Sequence, residues 1–504
     1  MKIRKILIAN RGEIAIRVAR ACKTLGILSV AIYSEIDANA KHVRLADESY
    51  PLGGKASNES YLLGDKIIDI AKKAQVDAIH PGYGFLSENA DFARKVTAAG
   101  LIWIGPPPEA IEAMGSKTES RQRMIAAGVP VVPGNAEPLT SMEEARQLAA
   151  SMGYPIMLKA AAGGGGKGMR EVTSEDELEN ALQSARSEAR NSFGDDSVYM
   201  EKRVVNPRHV EVQVLADAQG NVYHVFERDC SIQRRHQKVI EEAPCPILRE
   251  DVRSKMTQVA IDAAKAVNYV GAGTVEFLLD EDQNFYFLEM NTRLQVEHPI
   301  SEMITGIDLV QWQIRIASGE SFNFKQSEIQ KYGHALEFRI YAEDSSQNWA
   351  PSPGIITEYI PPEGPWVRLD SGVGKGDEVS VYYDPMIAKL VVWGIDRDDA
   401  IRRSLCVLDE FCIAGITTTI PFMKAVLRDP DFCNSNITTG FLSVEKMETL
   451  MPSLQITDEE KRITEDIAVL FRYANQIQNQ TQSTSKTSVV TTSNWKQRRS
   501  WKWQ

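Results

Sequence analysis

The sequence predicts a mixed α/β and α+β protein that opens on a doubly wound parallel sheet and continues into antiparallel strands, with a glycine-loop lid between them. Three observations carry that expectation. Residues 4–34 give strand, helix and strand signals in succession, as in a βαβ unit. The run Gly163-Gly164-Gly165-Gly166-Lys167-Gly168 lies between two strand-like stretches and not ahead of a helix. Residues 274–279 and 285–291 read as two strands joined by the polar Asp280-Glu281-Asp282-Gln283-Asn284. A chain of 504 residues holds roughly three or more units of ordinary size, and 43% hydrophobic content is enough to give them cores.

In the βαβ unit, Ile6-Leu7-Ile8-Ala9 is the first strand, Asn10-Arg11-Gly12 the turn, 14–25 the helix and 28–33 the second strand. The turn has one glycine where a dinucleotide fingerprint needs three, so the unit is doubly wound without being a nicotinamide cofactor site. A strand over 76–80 runs into Pro81-Gly82-Tyr83-Gly84-Phe85-Leu86-Ser87-Glu88-Asn89, a place where open α/β sheets form ligand crevices and where a plain turn fits as well. Ser116-Lys117-Thr118-Glu119 is a capping box opening a helix that closes at Gly128, and a domain boundary falls beside it.

The next strand is Tyr154-Pro155-Ile156-Met157-Leu158-Lys159, and 169–172 is strand-like beyond the glycines. Gly163, Gly165 and Gly168 match G-x-G-x-x-G, but with no helix following, the loop reads as a lid over phosphates or as a surface hairpin. Four consecutive glycines carry an entropic cost that favours the lid. Lys159 and Lys167 are placed to hold phosphate oxygens. Residues 208–214 alternate as a strand, and Arg234, Arg235, His236 and Lys238 then crowd four cations or near-cations into five residues. In an acidic protein that suits a polyphosphate pocket, or a surface paired with Glu241 and Glu242.

Read at period two, the last hairpin puts Phe285, Phe287, Glu289 and Asn291 on one face and Tyr286, Leu288 and Met290 on the other. If Asp280 pairs with Phe285, Glu276 falls opposite Glu289, and two carboxylates held about 5 Å apart repel unless a cation sits between them. With Asn291 one pleat on, the ligands are hard oxygens that suit Mg²⁺ or Mn²⁺ and not zinc. A half-buried hairpin with solvated acids is the alternative.

A net charge of −11, from 57 basic and 68 acidic residues, argues against a general nucleic-acid or anionic-membrane binder. The six cysteines are far apart without CxxC, which fits free thiols in a reducing cytosol. Met-Lys-Ile-Arg-Lys leads into a strand without a signal peptide, and no apolar run is long enough for a membrane span.

These segments together resemble the biotin carboxylase subunit of the biotin-dependent carboxylases, an ATP-grasp enzyme. The resemblance rests on Ile8-Ala9-Asn10-Arg11-Gly12-Glu13-Ile14-Ala15, on residues 80–89, on the glycine loop, on 227–238 and on 289–299, and runs in family order over residues 2–445. It implies an N-terminal Rossmann-like domain over 1–115, an ATP-grasp domain over 116–334 with its lid at 131–203, a mixed α/β C-terminal domain over 335–445, and an extension over 446–504.

The resemblance implies that ATP, Mg²⁺ or Mn²⁺ and bicarbonate give carboxyphosphate, which carboxylates biotin. Lys117, Lys159, Glu201, Lys202, Val204, His209 and His236 would hold ATP beneath Gly165 and Gly166, with Glu276 and Glu289 shared between nucleotide and metal and Asn291 completing the metal ligands. Bicarbonate would lie among Lys238, Arg293, Gln295, Val296 and Glu297, with Glu297 the base. Arg339 would stabilise the enolate-like biotin oxygen, and Tyr83 would lie near the biotin pocket. Without the resemblance, Arg293 and Arg339 read as ordinary ion pairs.

There is no Met-Lys-Met biotinylation site and no room after 445 for a carboxyltransferase domain, so biotin is expected on a separate carrier protein with a separate carboxyltransferase subunit; the resemblance implies a homodimer. The final acceptor, acetyl-CoA, propionyl-CoA or pyruvate, stays open. Residues 458–477 suggest a short helix, 478–492 a disordered tail, and the cationic, aromatic 495–503 a docking segment or a loose end. Two rivals remain: a carbamoyl-phosphate-synthetase-like ligase, which should lack the Arg234–Lys238 run and the Arg339 strand, and a non-catalytic nucleotide-binding subunit.

Overall fold

A computed structural model describes residues 2–135, 138–160, 169–193 and 195–450. The glycine loop, Lys167 and the expected helix and tail beyond 450 therefore lie outside the described residues. The chain separates into units 1–450 and 451–504, and every element described below belongs to the first.

Strands Lys5–Ile8 (β1), Leu28–Tyr33 (β2), Glu48–Pro51 (β3), Ala78–His80 (β4) and Ile102–Trp103 (β5) form a parallel sheet in the order β3-β2-β1-β4-β5. Helix Gly12–Thr24 (α1) begins two residues before the apolar periodicity does, because Gly12 at φ +64° turns the chain straight out of the strand. Asn10 ties that turn to the loop after β4 by donating to the carbonyls of Pro81 and Tyr83, each at 2.7 Å. Gly82 must be glycine here: its φ is +66°, and a Cβ would meet Asn10 Nδ2 at 2.9 Å.

Helix Lys117–Ala126 (α2) starts where the capping signal places it, with Ser116 Oγ accepting from the Glu119 amide. Beyond it, Met142–Met152 (α3) and Glu175–Phe193 (α4) pack on a three-stranded antiparallel sheet of Ile156–Ala160 (β6), Met169–Val172 (β7) and Val198–Lys202 (β8), in the order β7-β6-β8. The glycine loop connects β6 to β7.

The site stands on an antiparallel sheet of eight strands: Arg208–Ala216 (β9), Val222–Arg234 (β10), Gln237–Ala243 (β11), Gly271–Leu279 (β12), Phe285–Asn291 (β13), His334–Tyr341 (β14), Val367–Ser371 (β15) and Met386–Gly394 (β16). Their order is β13-β12-β9-β10-β11-β14-β16-β15. Every residue of β9 is buried, although its sequence alternates like a half-exposed strand. Val210, Val212 and Val214 face a core with helix Glu250–Ala266 (α5), each contributing about 1.5–3 kcal/mol on burial. His209, Glu211 and Gln213 point the other way and are buried too, so a polar row lies inside the fold; helices His298–Thr305 (α6) and Leu309–Ala317 (α7) pack on other strands of the same sheet. Among the described residues no helix is long and apolar enough to cross a membrane.

The β12–β13 hairpin differs from its expected faces. Leu279, not Asp280, pairs with Phe285, which on its own would put Glu276 opposite Leu288. A bulge at Leu288 shifts the register by one, so Glu276 does oppose Glu289, and Thr274 opposes Asn291. The bulge also turns Phe287 to the side of Met290, and both enter the core with Val275 and Phe277. Phe285 and Phe287 are thus not on the carboxylate face; strict alternation fails where one extra residue is inserted.

Candidate active site

The row His209, Glu211, Gln213 of β9 and Glu276 of β12 meets Lys238 from β11 at the centre of the large sheet. Lys238 Nζ donates to Glu211 Oε2 at 2.6 Å, Glu276 Oε1 at 2.9 Å and Glu297 Oε1 at 2.7 Å. His209, Glu211 and Glu276 have the spacing of a metal cluster, but the ammonium already neutralises it. Burial opposes the charge on Lys238, yet Glu211, Glu276 and Glu297 outweigh burial and hold its amine far above the usual lysine value.

Glu276 also accepts from Asn291 Nδ2 at 2.9 Å and Gln295 Nε2 at 2.7 Å, and His209 Nε2 stands 2.9 Å from its other oxygen. Burial pushes its carboxyl up, but Lys238 and His209 prevail and keep it well below the ordinary range. Glu289 is held less firmly. Burial and the facing Glu276 raise its carboxyl, which is the repulsion the hairpin register implies. Lys117 lies close by: burial and Lys159 depress its amine, against the pull of Glu289 and Glu201.

Glu297 is clamped from two sides. Its Oε1 takes Lys238 and its Oε2 accepts from Arg339 Nη2 at 3.0 Å. Burial would raise its carboxyl, but Lys238, Arg339 and Arg228 hold it ionised, well below the usual range. Arg339 Nε donates to Glu241 Oε1 at 2.6 Å. Lys238 is therefore not paired with Glu241 or Glu242; Glu242 instead binds Arg397 and His334. Arg234 pairs with Glu343 and lies over the Trp349 ring, while Arg235 and His236 form the two-residue turn between β10 and β11, at φ 50° and 68°. Arg234 and Lys238 thus go to different partners.

The structure brings Lys238, His209, Glu276, Asn291, Gln295, Glu297 and Arg339 into one bonded cluster, with Glu289 across from Glu276 and Arg293 joined through Asn291 Oδ1 at 3.0 Å. Lys159 pairs with Glu201 in the three-stranded sheet. Lys202 and Val204 lie apart from the cluster, lining a cleft of about 340 Å³ with Asn206, Asp282 and Tyr286. Tyr83 is half-buried in the loop after β4, Val296 precedes Glu297, and Gly165 and Gly166 lie outside the described residues.

Three residues of the cluster were missed by the sequence reading. Glu211 bridges Lys238 and Arg228, and its place two residues from His209 on one strand face was the available signal. Arg228, fully buried, donates to Glu211, Gln213, Thr274, Gln295 and Ser301. Glu88 accepts from Arg293 Nε at 2.9 Å and from the Thr292 amide at 3.2 Å, which fastens the loop after β4 to the site. No sequence spacing joins residues so far apart.

A large antiparallel sheet with facing carboxylates, together with a separate three-stranded sheet that carries Lys159, is the architecture of an ATP-grasp protein. Three family models match in succession: Biotin carboxylase, N-terminal domain, over residues 2–111; Carbamoyl-phosphate synthase L chain, ATP binding domain, over 116–325; and Biotin carboxylase C-terminal domain, over 337–444. The chain is 52% identical over 440 residues to the biotin carboxylase of Halalkalibacterium halodurans, covering 87% of this chain and 97% of that protein. It is 53% identical over 458 residues to the mitochondrial methylcrotonoyl-CoA carboxylase subunit alpha of Dictyostelium discoideum, covering 91% of this chain and 66% of that one, so it spans just under two thirds of this longer relative. A solved biotin carboxylase domain dimer of the Hydrogenobacter thermophilus 2-oxoglutarate carboxylase, in complex with MgADP, ADP and bicarbonate, superimposes with TM-score 0.83 at 46% identity, covering 90% of this chain and 99% of that one. The chain belongs to the biotin carboxylase family.

Proposed function

We propose that this protein carboxylates biotin on a separate carrier protein, using ATP and bicarbonate, as the first half-reaction of a multisubunit acyl-CoA or pyruvate carboxylase. The observation that carries this reading is Glu297 held between Lys238 and Arg339, next to the facing pair Glu276 and Glu289. A carbamoyl-phosphate-synthetase-like ligase accounts for the carboxylate pair but not for Arg339, and the biotin carboxylase models on both flanks favour the first reading.

ATP would lie between the lid and the large sheet, with Lys117, Lys159, Glu201, Lys202, Val204, His209 and His236 around it. Glu276, Glu289 and the Asn291 amide oxygen are a hard-oxygen donor set in which the two carboxylates repel, which fits Mg²⁺ or Mn²⁺. When bound, the metal supplies neutralisation of phosphate charge. Arg293, in two-pronged fashion, with Lys238, Gln295 and Val296, would hold bicarbonate so that its oxygen attacks the terminal phosphorus, releasing ADP and leaving carboxyphosphate.

Glu297 would be the base for bicarbonate's remaining proton. In this structure it is a weak base because two cations grip it; as Lys238 turns to bicarbonate and Arg339 to the biotin oxygen, it loses both and its proton affinity rises. Tyr83 would border the biotin. We assign the Rossmann-like domain to 1–115, the ATP-grasp domain to 116–334 and the C-terminal domain to 335–445, and place the enzyme in the cytoplasm as a homodimer with carrier and carboxyltransferase partners. The extents of the three family models support the division.

The test is ADP release by the purified protein with Mg²⁺, ATP and bicarbonate, with and without free biotin. Stimulation by biotin that requires bicarbonate is expected. Lack of stimulation at confirmed ATP binding, with or without carrier protein, would sink this reading.

A further inference from the structure

Lys389 of β16 has no exposed surface and takes no part in the proposed chemistry. Its neighbours across the sheet are Arg339 on β14 and Asp370 on β15. Its Nζ donates to the carbonyl of Val296 at 2.9 Å, lies 3.3 Å from Glu13 Oε2 of α1, and stands 5.7 Å from the centre of the Tyr83 ring. One ammonium therefore meets α1, the loop after β4 and the turn that presents Glu297. Burying an ammonium costs several kcal/mol, and a methionine would fill the same space without that cost. Glu13 offsets part of it; burial raises the Glu13 carboxyl to about 7 even though Lys389 pulls it down.

Because a peptide is planar, fixing the Val296 carbonyl fixes the plane that also contains the Glu297 amide and Cα. Val296 and Glu297 lie in a short turn before α6, where the neighbouring backbone bonds are long: His298 N to Gln295 O is 3.4 Å and Ile300 N to Glu297 O is 3.3 Å. The turn alone holds its own peptides weakly.

We propose that Lys389 is a positioning residue: it fixes the Val296–Glu297 peptide, and so the place of Glu297 between Lys238 and Arg339, with Glu13 anchoring the ammonium from the N-terminal segment. The inference rests on the biotin carboxylase reading of the site.

The experiment is initial-rate kinetics of bicarbonate-dependent ATP cleavage by the full chain, varying bicarbonate and MgATP separately, for wild type, Lys389→Met, Glu13→Gln and the double variant. Lys389→Met should raise the KM for bicarbonate about tenfold or more and lower kcat, while the KM for MgATP moves less than about twofold. Glu13→Gln should give a smaller shift, about threefold, and add nothing in the Lys389→Met background because it acts through the same ammonium. Unchanged bicarbonate KM in folded Lys389→Met, or parallel changes for both substrates, overturns the inference. Should Lys389→Met not fold, Glu13→Gln decides alone, and an unchanged bicarbonate KM there overturns it. Wild type that cleaves no ATP in response to bicarbonate overturns instead the reading of the site, and this inference with it.

Discussion

Arg339 Nη2 on β14 lies 3.0 Å from Glu297 Oε2 in the turn before α6, 42 residues away along the chain. The guanidinium also grips Glu241, so removing it leaves two buried carboxylates short of a partner. If it serves the biotin oxygen, its loss strikes the second chemical step harder than the first. Arg339→Ala should lower biotin carboxylation about 100-fold and bicarbonate-dependent ATP cleavage less than about tenfold. Equal loss in both assays removes Arg339 from that role.

Burial and the facing Glu276 raise the Glu289 carboxyl, whereas Glu276 is held by Lys238 and His209. Glu289→Gln should therefore spare folding and weaken metal binding. Titration of Mn²⁺ into the protein with ADP should show affinity falling about tenfold or more, with an unchanged melting temperature. An unaltered Mn²⁺ isotherm would move the metal to other ligands.

How much of this was legible beforehand depends on the range of the interaction. The βαβ opening, the Ser116 cap and the Glu276–Glu289 opposition follow from local pattern, and each is present. The opposition survives only because a bulge at Leu288 compensates a turn one residue longer than expected; no periodicity announces a bulge. Within the Arg234–Lys238 run, strand alternation puts Arg234 and Lys238 on opposite faces, so Arg234 pairs with Glu343 and Lys238 with Glu211, Glu276 and Glu297, which their nearness in sequence did not foretell. Arg228, Glu88 and Lys389 depend on contacts across 67, 205 and 93 residues of chain, which residue type alone does not predict.

Glu242 gives a pH test. It is buried between Arg397 Nε at 2.7 Å and His334 Nε2 at 2.8 Å. Burial pushes its carboxyl up, but Arg397 and His334 prevail and hold it at about 2, against an ordinary 4.5. A carboxyl depressed by folding contributes stability that is fully present above 4.5 and is lost as pH falls toward 2. The gap corresponds to about 3 kcal/mol. Glu242→Gln should thus melt well below wild type at pH 7, with the difference shrinking steadily below pH 4.5. A difference that stays constant from pH 7 to 3.5 would assign the loss to packing (~1 kcal/mol or more) and not to charge.

Arg228 holds the cluster from behind. It spends its donors on Glu211 at 2.5 Å, Gln213 and Gln295 at 2.8 Å, Ser301 at 2.9 Å and Thr274 at 3.2 Å, and so joins β9, β12, α6 and the turn before it. Burial opposes its charge, but Glu211 and Glu297 more than compensate. Arg228→Met keeps the volume and leaves Glu211 with Lys238 alone, which should cost about 3–5 kcal/mol, read as a lower thermal transition. Much of that cost is the Glu211 oxygen left without its cation and not the lost bonds to neutral partners. Adding Glu211→Gln to Arg228→Met should therefore recover part of the transition temperature while doing nothing for activity, since Lys238 then loses a partner as well. If the double variant melts below Arg228→Met, the charge argument fails and the lost hydrogen bonds to Gln213, Thr274, Gln295 and Ser301 carry the effect.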